Sequence, residues 1–252
     1  MRNWIYRFCT IVIFLGFVTP ASAQKVIKLD EGLKSHSSPM TVKRKGAKAI
    51  GKYQFGPYRI VAGHAGWSTT DHANSQSETN IEYDQKSSFV FQAKEHDPII
   101  ANIGVSTSSK IKNPSFFADM FGLGSYELEE SKQLYTVAFK SISDQTWNLA
   151  VISPMAVEIE DTIVPDTKTE FEGLLTDGIS TVKIEQTFER EDGKSSLLNV
   201  FKGYEFYLDG NVIGAVQVMP INKQLVWIHD ELDENMQSVV ATLAVSLLVK
   251  TF

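Results

Sequence analysis

The sequence predicts a mainly β domain: an antiparallel barrel or strongly curved sheet enclosing a hydrophobic C-terminal helix. Three observations carry that expectation. Short β-like runs follow one another from residue 53 onward, broken by turn signals. The segment Tyr204–Met219 places Asp209-Gly210 between two apolar, aromatic-rich runs, the signature of a hairpin whose turn needs φ > 0 at both central residues. The last helical pattern, from Asp230 to Lys250, is apolar nearly all round, and a helix of that kind must be surrounded by the rest of the chain.

Residues 1–23 read as an export signal. Arg2 and Arg7 precede the apolar run Phe8–Val18, and Ala21-Ser22-Ala23 supplies a cleavage site, so the mature chain is expected to begin at Gln24. A run of 11 residues falls short of the ~20 that a helix needs to span a bilayer. The expected location is the periplasm or the medium outside a bacterium. The single cysteine, Cys9, lies in the signal, and the mature chain lacks Asn-x-Ser/Thr acceptors, so its stability must come from its core. The remaining 229 residues carry 22 basic and 30 acidic side chains, a net charge of −8. Such a chain is repelled by nucleic-acid phosphates, which excludes a DNA- or RNA-binding role.

Residues 24–52 form a polar, basic N-terminal segment, read as a solvated arm; residues 53–252 form a single β-rich domain. Lys43, Arg44 and Lys45, with Lys48 and Lys52, are candidate anion-binding residues for phosphate or sulfate. Expected strands are Tyr53–Val61, Ser88–Lys94, Ile99–Ser106, Gln133–Ile142, Thr146–Ser153, Ala156–Ile163, Ile179–Arg190 and Leu197–Phe201. Asp177-Gly178 and Asp192-Gly193 mark turns. Between the strands, Asn113-Pro114 opens a short helix that Gly122 stops, with Phe116, Phe117, Met120 and Phe121 on its apolar face as a plug over the sheet.

The C-terminal helix is expected over 231–250, with Asp230 as its cap and four acids near its positive end. Leu232, Met236, Val240, Leu243 and Leu247 form one stripe. The opposite side, Glu234, Ser238, Ala241, Val245 and Leu248, loses polarity along the chain, so the helix starts at the surface and ends inside. Thr242 and Ser246 interrupt it too much for a membrane span, and the mature chain is expected to have no transmembrane segment. Although the chain ends in Phe252, Leu247-Leu248-Val249-Lys250 breaks the alternation that an outer-membrane barrel needs.

The hairpin, the run Gln224-Leu-Val-Trp-Ile-His-Asp230 and the closing helix together resemble the tubby-like group, which includes tubby domains, LURP-one proteins and phospholipid scramblases. The resemblance lies mainly in residues 204–249 and implies a closed barrel round a central hydrophobic helix. It also implies a protein without catalysis that binds lipids or partners; it transfers no site residue.

Catalytic constellations are sparse. His64, Asp71 and His72 could hold a divalent metal, since imidazole and carboxylate suit zinc, yet they fall in a Gly/Ser/Thr-rich stretch that reads as a loop. His36, His96 and His229 complete the histidines, with Glu95-His96-Asp97-Pro98 reading as a turn. No G-x-S-x-G elbow, P-loop or G-x-G-x-x-G occurs. Glu127, Glu129, Glu130, Glu158, Glu160 and Asp161 offer carboxylates for sugar hydrolysis without singling out a pair. Trp67, Trp147 and Trp227 are read as packing residues rather than a sugar platform. The expectation is an exported binding protein without cofactor, taking a lipid-like or apolar small molecule or an envelope partner. The alternative is a secreted hydrolase, metal-assisted or carbohydrate-active.

Overall fold

Antiparallel pairing organises most of the described residues, as the hairpin signals require. In the computed structural model, residues 26–46, 50–75, 78–112, 127–159, 162–165, 169–191 and 201–250 are described. The export signal, the helix expected at 113–122, Asp192-Gly193 and most of the strand expected at 197–201 lie outside them. The strands are β1 (Met40–Thr41), β2 (Lys43–Lys45), β3 (Lys52–Phe55), β4 (Tyr58–Asn74), β5 (Glu78–Ala93), β6 (Ile99–Lys112), β7 (Glu127–Lys140) and β8 (Thr146–Pro154). They continue as β9 (Ala156–Ile159), β10 (Thr162–Pro165), β11 (Glu172–Thr176), β12 (Thr181–Thr187), β13 (Gly203–Leu208), β14 (Asn211–Gln217) and β15 (Leu225–Ile228). Among the described residues two α-helices accompany them, α1 (Glu31–Ser35) and α2 (Glu234–Lys250).

Thirteen strands form one sheet in the order β1-β15-β14-β13-β12-β11-β8-β7-β6-β5-β4-β3-β2, a nearly closed antiparallel barrel. The two edge strands are consecutive in the chain. Met40 pairs with Val226 on one side of the seam, Lys43 pairs with Gln54 on the other, and only Val42 separates them. The Val42 amide donates to the Gln224 carbonyl at 3.0 Å. Residues 40–45 therefore bridge the seam and protect both edges. The N-terminal segment is no free arm: it is built into the wall, and α1 lies over the outside of β14 and β15. There Leu33 and Ile27 bury themselves against Ala215, Leu225 and Trp227.

The Asp209-Gly210 hairpin forms as the sequence predicts, with φ of 50° and 81° at its two turn residues. The expected strand Tyr53–Val61 is two strands, because the chain turns at Gly56-Pro57 and pairs Phe55 with Tyr58. β4 and β5 run far longer than expected. β5 alternates buried and half-buried positions only in its last third, Phe89–Ala93; from Asn80 to Ser87 it alternates exposed and half-buried ones, and β4 is exposed from Gly63 onward. Sequence patterning registers only the half of a strand that meets the core.

The interior belongs to α2. Every residue from Ser238 to Val249 is buried, against Phe89, Phe91, Val137, Trp147, Leu149 and Phe206 from the wall. Each fully buried leucine contributes roughly 2 kcal/mol of transfer free energy. Thr242 Oγ1 donates to the Ser238 carbonyl at 2.8 Å and Ser246 Oγ to the Thr242 carbonyl at 2.7 Å, so both hydroxyls are satisfied one turn back inside the helix itself. Gly214 lets β14 come close, since a Cβ there would lie 2.7 Å from Val240 Cγ1. The helix begins at Glu234 rather than 231: Asp233, not Asp230, caps it, its Oδ1 accepting from the Met236 amide at 2.8 Å. Among the described residues, no helix is long and apolar enough to cross a membrane.

Candidate functional site

The last turn of α2 ends at a mouth of the barrel, under the inner faces of the long strands β5–β7. Inward-facing Tyr83, Gln85 and Ser87 are half-buried, whereas their neighbours Glu82, Asp84 and Lys86 face solvent. Cross-strand register sets Ser87 opposite Ile103 and Gln85 opposite Val105, which in turn faces Tyr135. Together with Ile50, Gln133 and Val249 these side chains enclose a pocket of about 310 Å³.

Lys250 forms part of its lining. The ammonium Nζ donates to Ser153 Oγ at 2.9 Å and stands 6.0 Å from the centre of the Tyr135 ring. Burial pushes the Lys250 amine below the usual lysine range, because the charged form loses water. Tyr135 is oriented by its own bond, donating to the Ser246 carbonyl at 2.8 Å, and burial lifts its phenol well above the ordinary range. Among the described residues, no carboxylate lines the pocket. A cation held in a partly apolar cleft with hydroxyl and amide groups beside it is suited to receive an anionic head on a short apolar tail.

The residues singled out in the sequence are dispersed. Lys43, Arg44 and Lys45 occupy β2, where successive side chains alternate across the sheet. Arg44 turns to the inner side and lies over the Tyr53 ring at 5.6 Å, while Lys43 and Lys45 face solvent and Lys45 stands across from Lys52. The three do not converge on one anion.

His64, Asp71 and His72 sit on strand β4, not in a loop. They pair with Ser88, Glu82 and Ile81, and all three are exposed. Asp71 and His72, as neighbours on a strand, face opposite sides, and His64 lies seven residues from Asp71, roughly 20 Å along the strand. They cannot share a metal. Their polar, glycine-containing context belongs to a strand that is wet on both faces, which composition does not distinguish from a loop.

His96 lies in the expected turn at the other end of the barrel, its Nε2 3.1 Å from Glu234 Oε1, with Lys94 Nζ 3.2 Å from the same oxygen. Hydrogen bonds from His96 and Lys94 hold the Glu234 carboxyl below the usual range. Glu129 and Glu130 are engaged by Lys110 and Lys132, at 2.8 and 2.6 Å. The side chains of Glu127, Glu158, Glu160 and Asp161 lie outside the described residues. Trp147 and Trp227 are core residues, but Trp67 is 73% exposed rather than packed.

The pocket residue that sequence reasoning passed over is Lys250. It was legible only as a favourable charge at a helix C-terminus; the usable signal was that a nearly apolar stretch of helix ends in one cation. Against known protein families, curated proteins and solved structures, this chain finds no match.

Proposed function

We propose that this is an exported, non-catalytic binding protein that takes a small anionic amphiphile at the mouth of its barrel. The observation that carries the reading is Lys250, a half-buried ammonium facing a pocket without a carboxylate among its described lining residues. A bound carboxylate or phosphate would restore the electrostatic compensation that burial denies the amine.

The filled interior sets the place and size of the ligand. α2 occupies the space where a wider barrel would hold an apolar molecule, so a lipid-like ligand must sit at the end of the helix. About 310 Å³ is at the small end for ligand sites, room for one chain rather than a two-chain phospholipid. The tubby-like resemblance points the same way, since it implies lipid or partner binding by a barrel round a C-terminal helix. A small ligand is favoured over an envelope protein because the cation is recessed and reached through the pocket.

The test compares decanoate with decanol, equal in tail length but different in charge, by calorimetric titration of the purified protein. Decanoate is expected to bind one per chain, at least tenfold tighter than decanol, and Lys250→Met should remove that preference. Equal affinity for the two, or a preference that survives Lys250→Met, sinks the reading.

A further inference from the structure

At the opposite end of α2, about 25 Å from Lys250 by helix rise, a second group of side chains comes together that the mouth pocket does not use. His36 follows α1, His229 follows β15, and Glu231 comes two residues later. One donor atom from each lies within 4.8 Å of the other two. The imidazoles stack, with centroids 5.1 Å apart and planes 13° from parallel. His36 Nδ1 is 3.4 Å from Glu231 Oε1 and 3.9 Å from Asp230 Oδ1.

Backbone hydrogen bonds fix these positions from both sides. The Asp230 amide donates to the His36 carbonyl at 2.9 Å, tying the two chain segments directly. The His229 amide donates to the Ile213 carbonyl at 3.0 Å, and the His36 amide to the Gly32 carbonyl at 3.2 Å at the end of α1. The arrangement is thus a product of the fold rather than of neighbouring positions in sequence.

We infer that His36, His229 and Glu231 bind one divalent cation of the zinc class, and that the cation pins the seam-bridging N-terminal segment to the start of α2. Two imidazoles and a carboxylate are a donor set for zinc, and they leave a fourth position for water or for Asp230. Zinc bonds of 2.0–2.2 Å put tetrahedral donors about 3.4 Å apart, so the outermost pair must close by roughly 1.4 Å. The side chains of His36 and Glu231, 47% and 71% exposed, can rotate to do so. Because residues 40–45 close the barrel seam a few positions after His36, a cation here would stabilise the closed wall.

The untagged protein, freed of metal with chelator, is titrated with zinc while uptake per chain and the melting temperature are followed. One zinc per chain is expected, with a dissociation constant in the micromolar range or below. A hundredfold excess over that constant should raise the melting temperature by roughly 5–10 °C. His36→Ala and Glu231→Gln, both at exposed side chains, should each weaken uptake at least tenfold and leave the melting temperature without metal unchanged. Absence of uptake by the unaltered protein, or uptake that survives both substitutions, overturns the site. Stoichiometric binding with no change in melting temperature overturns the pinning.

Discussion

Tyr135 on β7 donates its hydroxyl hydrogen to the backbone carbonyl of Ser246 on α2, 2.8 Å away inside the barrel. The bond joins wall to helix near the mouth and sets the ring under which Lys250 passes. Tyr135→Phe keeps the ring and removes only the donor. A net loss of about 1 kcal/mol is expected, read as a lowered urea midpoint with an unchanged slope. An unmoved midpoint would mean that the bond contributes nothing to stability.

Leu243 tests the enclosure of the helix. Its side chain is wholly buried, whereas Ile179, at the turn after β11, is 88% exposed. Leu243→Ala should cost about 2–5 kcal/mol through lost transfer energy and the cavity left behind. Ile179→Ala should stay within about 0.5 kcal/mol. Chemical denaturation of both variants compares them directly, and similar costs would contradict an occupied interior.

The parts of this fold that were legible in the sequence are those where one face meets the core. Val182 and Ile184 alternate with exposed Lys183 and Glu185, and the C-terminal helix is mostly apolar on every side after Ser238, broken only by Thr242 and Ser246. The distal half of β4 was illegible because both of its faces are exposed, and the first part of β5 because its inward positions, Tyr83, Gln85 and Ser87, are only half-buried and mostly polar, so no period-2 pattern in hydrophobicity records them. The same lack of contrast made His64, Asp71 and His72 look like neighbours in a loop. His36 and His229 posed the reverse problem: they stack through closure of the fold, and nothing local in either segment points to the other. The seam, too, was hidden, since Met40–Lys45 reads as a basic tail until β3 and β15 are found on its two sides.

The start of α2 offers a test between two neighbouring acids. Asp233 accepts from the Met236 amide at 2.8 Å, whereas the exposed side chain of Asp230 stands 3.9 Å from His36 and 4.0 Å from His229. Asp233→Ala should therefore lose about 1 kcal/mol as a broken cap, and Asp230→Ala a few tenths at most in metal-free buffer. Thermal unfolding of the two variants side by side settles which residue caps the helix; equal losses would remove the distinction.

Alkaline solution should open the barrel through its tyrosines. Burial pushes Tyr53 and Tyr58 up to about 12, with Glu234 adding to the effect at Tyr58, and lifts Tyr135 and Tyr204 as well. An unfolded chain gives up these phenol protons near pH 10, while the folded chain keeps them. Their contribution to stability is therefore complete below pH 10 and falls as the pH climbs, by roughly 1.4 kcal/mol per unit for each group, over about 10 to 12 for Tyr53 and Tyr58 and beyond that for Tyr135 and Tyr204. Lys250 works in the other direction: burial lowers its pKa, so the unfolded chain holds that proton longer, and stability gains from it only until the unfolded lysine also titrates near 10.5. Phenolate absorbance of the buried tyrosines should consequently appear together with the loss of β-sheet circular dichroism, in one cooperative step above pH 10. Ionisation of all the tyrosines near pH 10 with the sheet signal intact would show that water reaches the barrel interior.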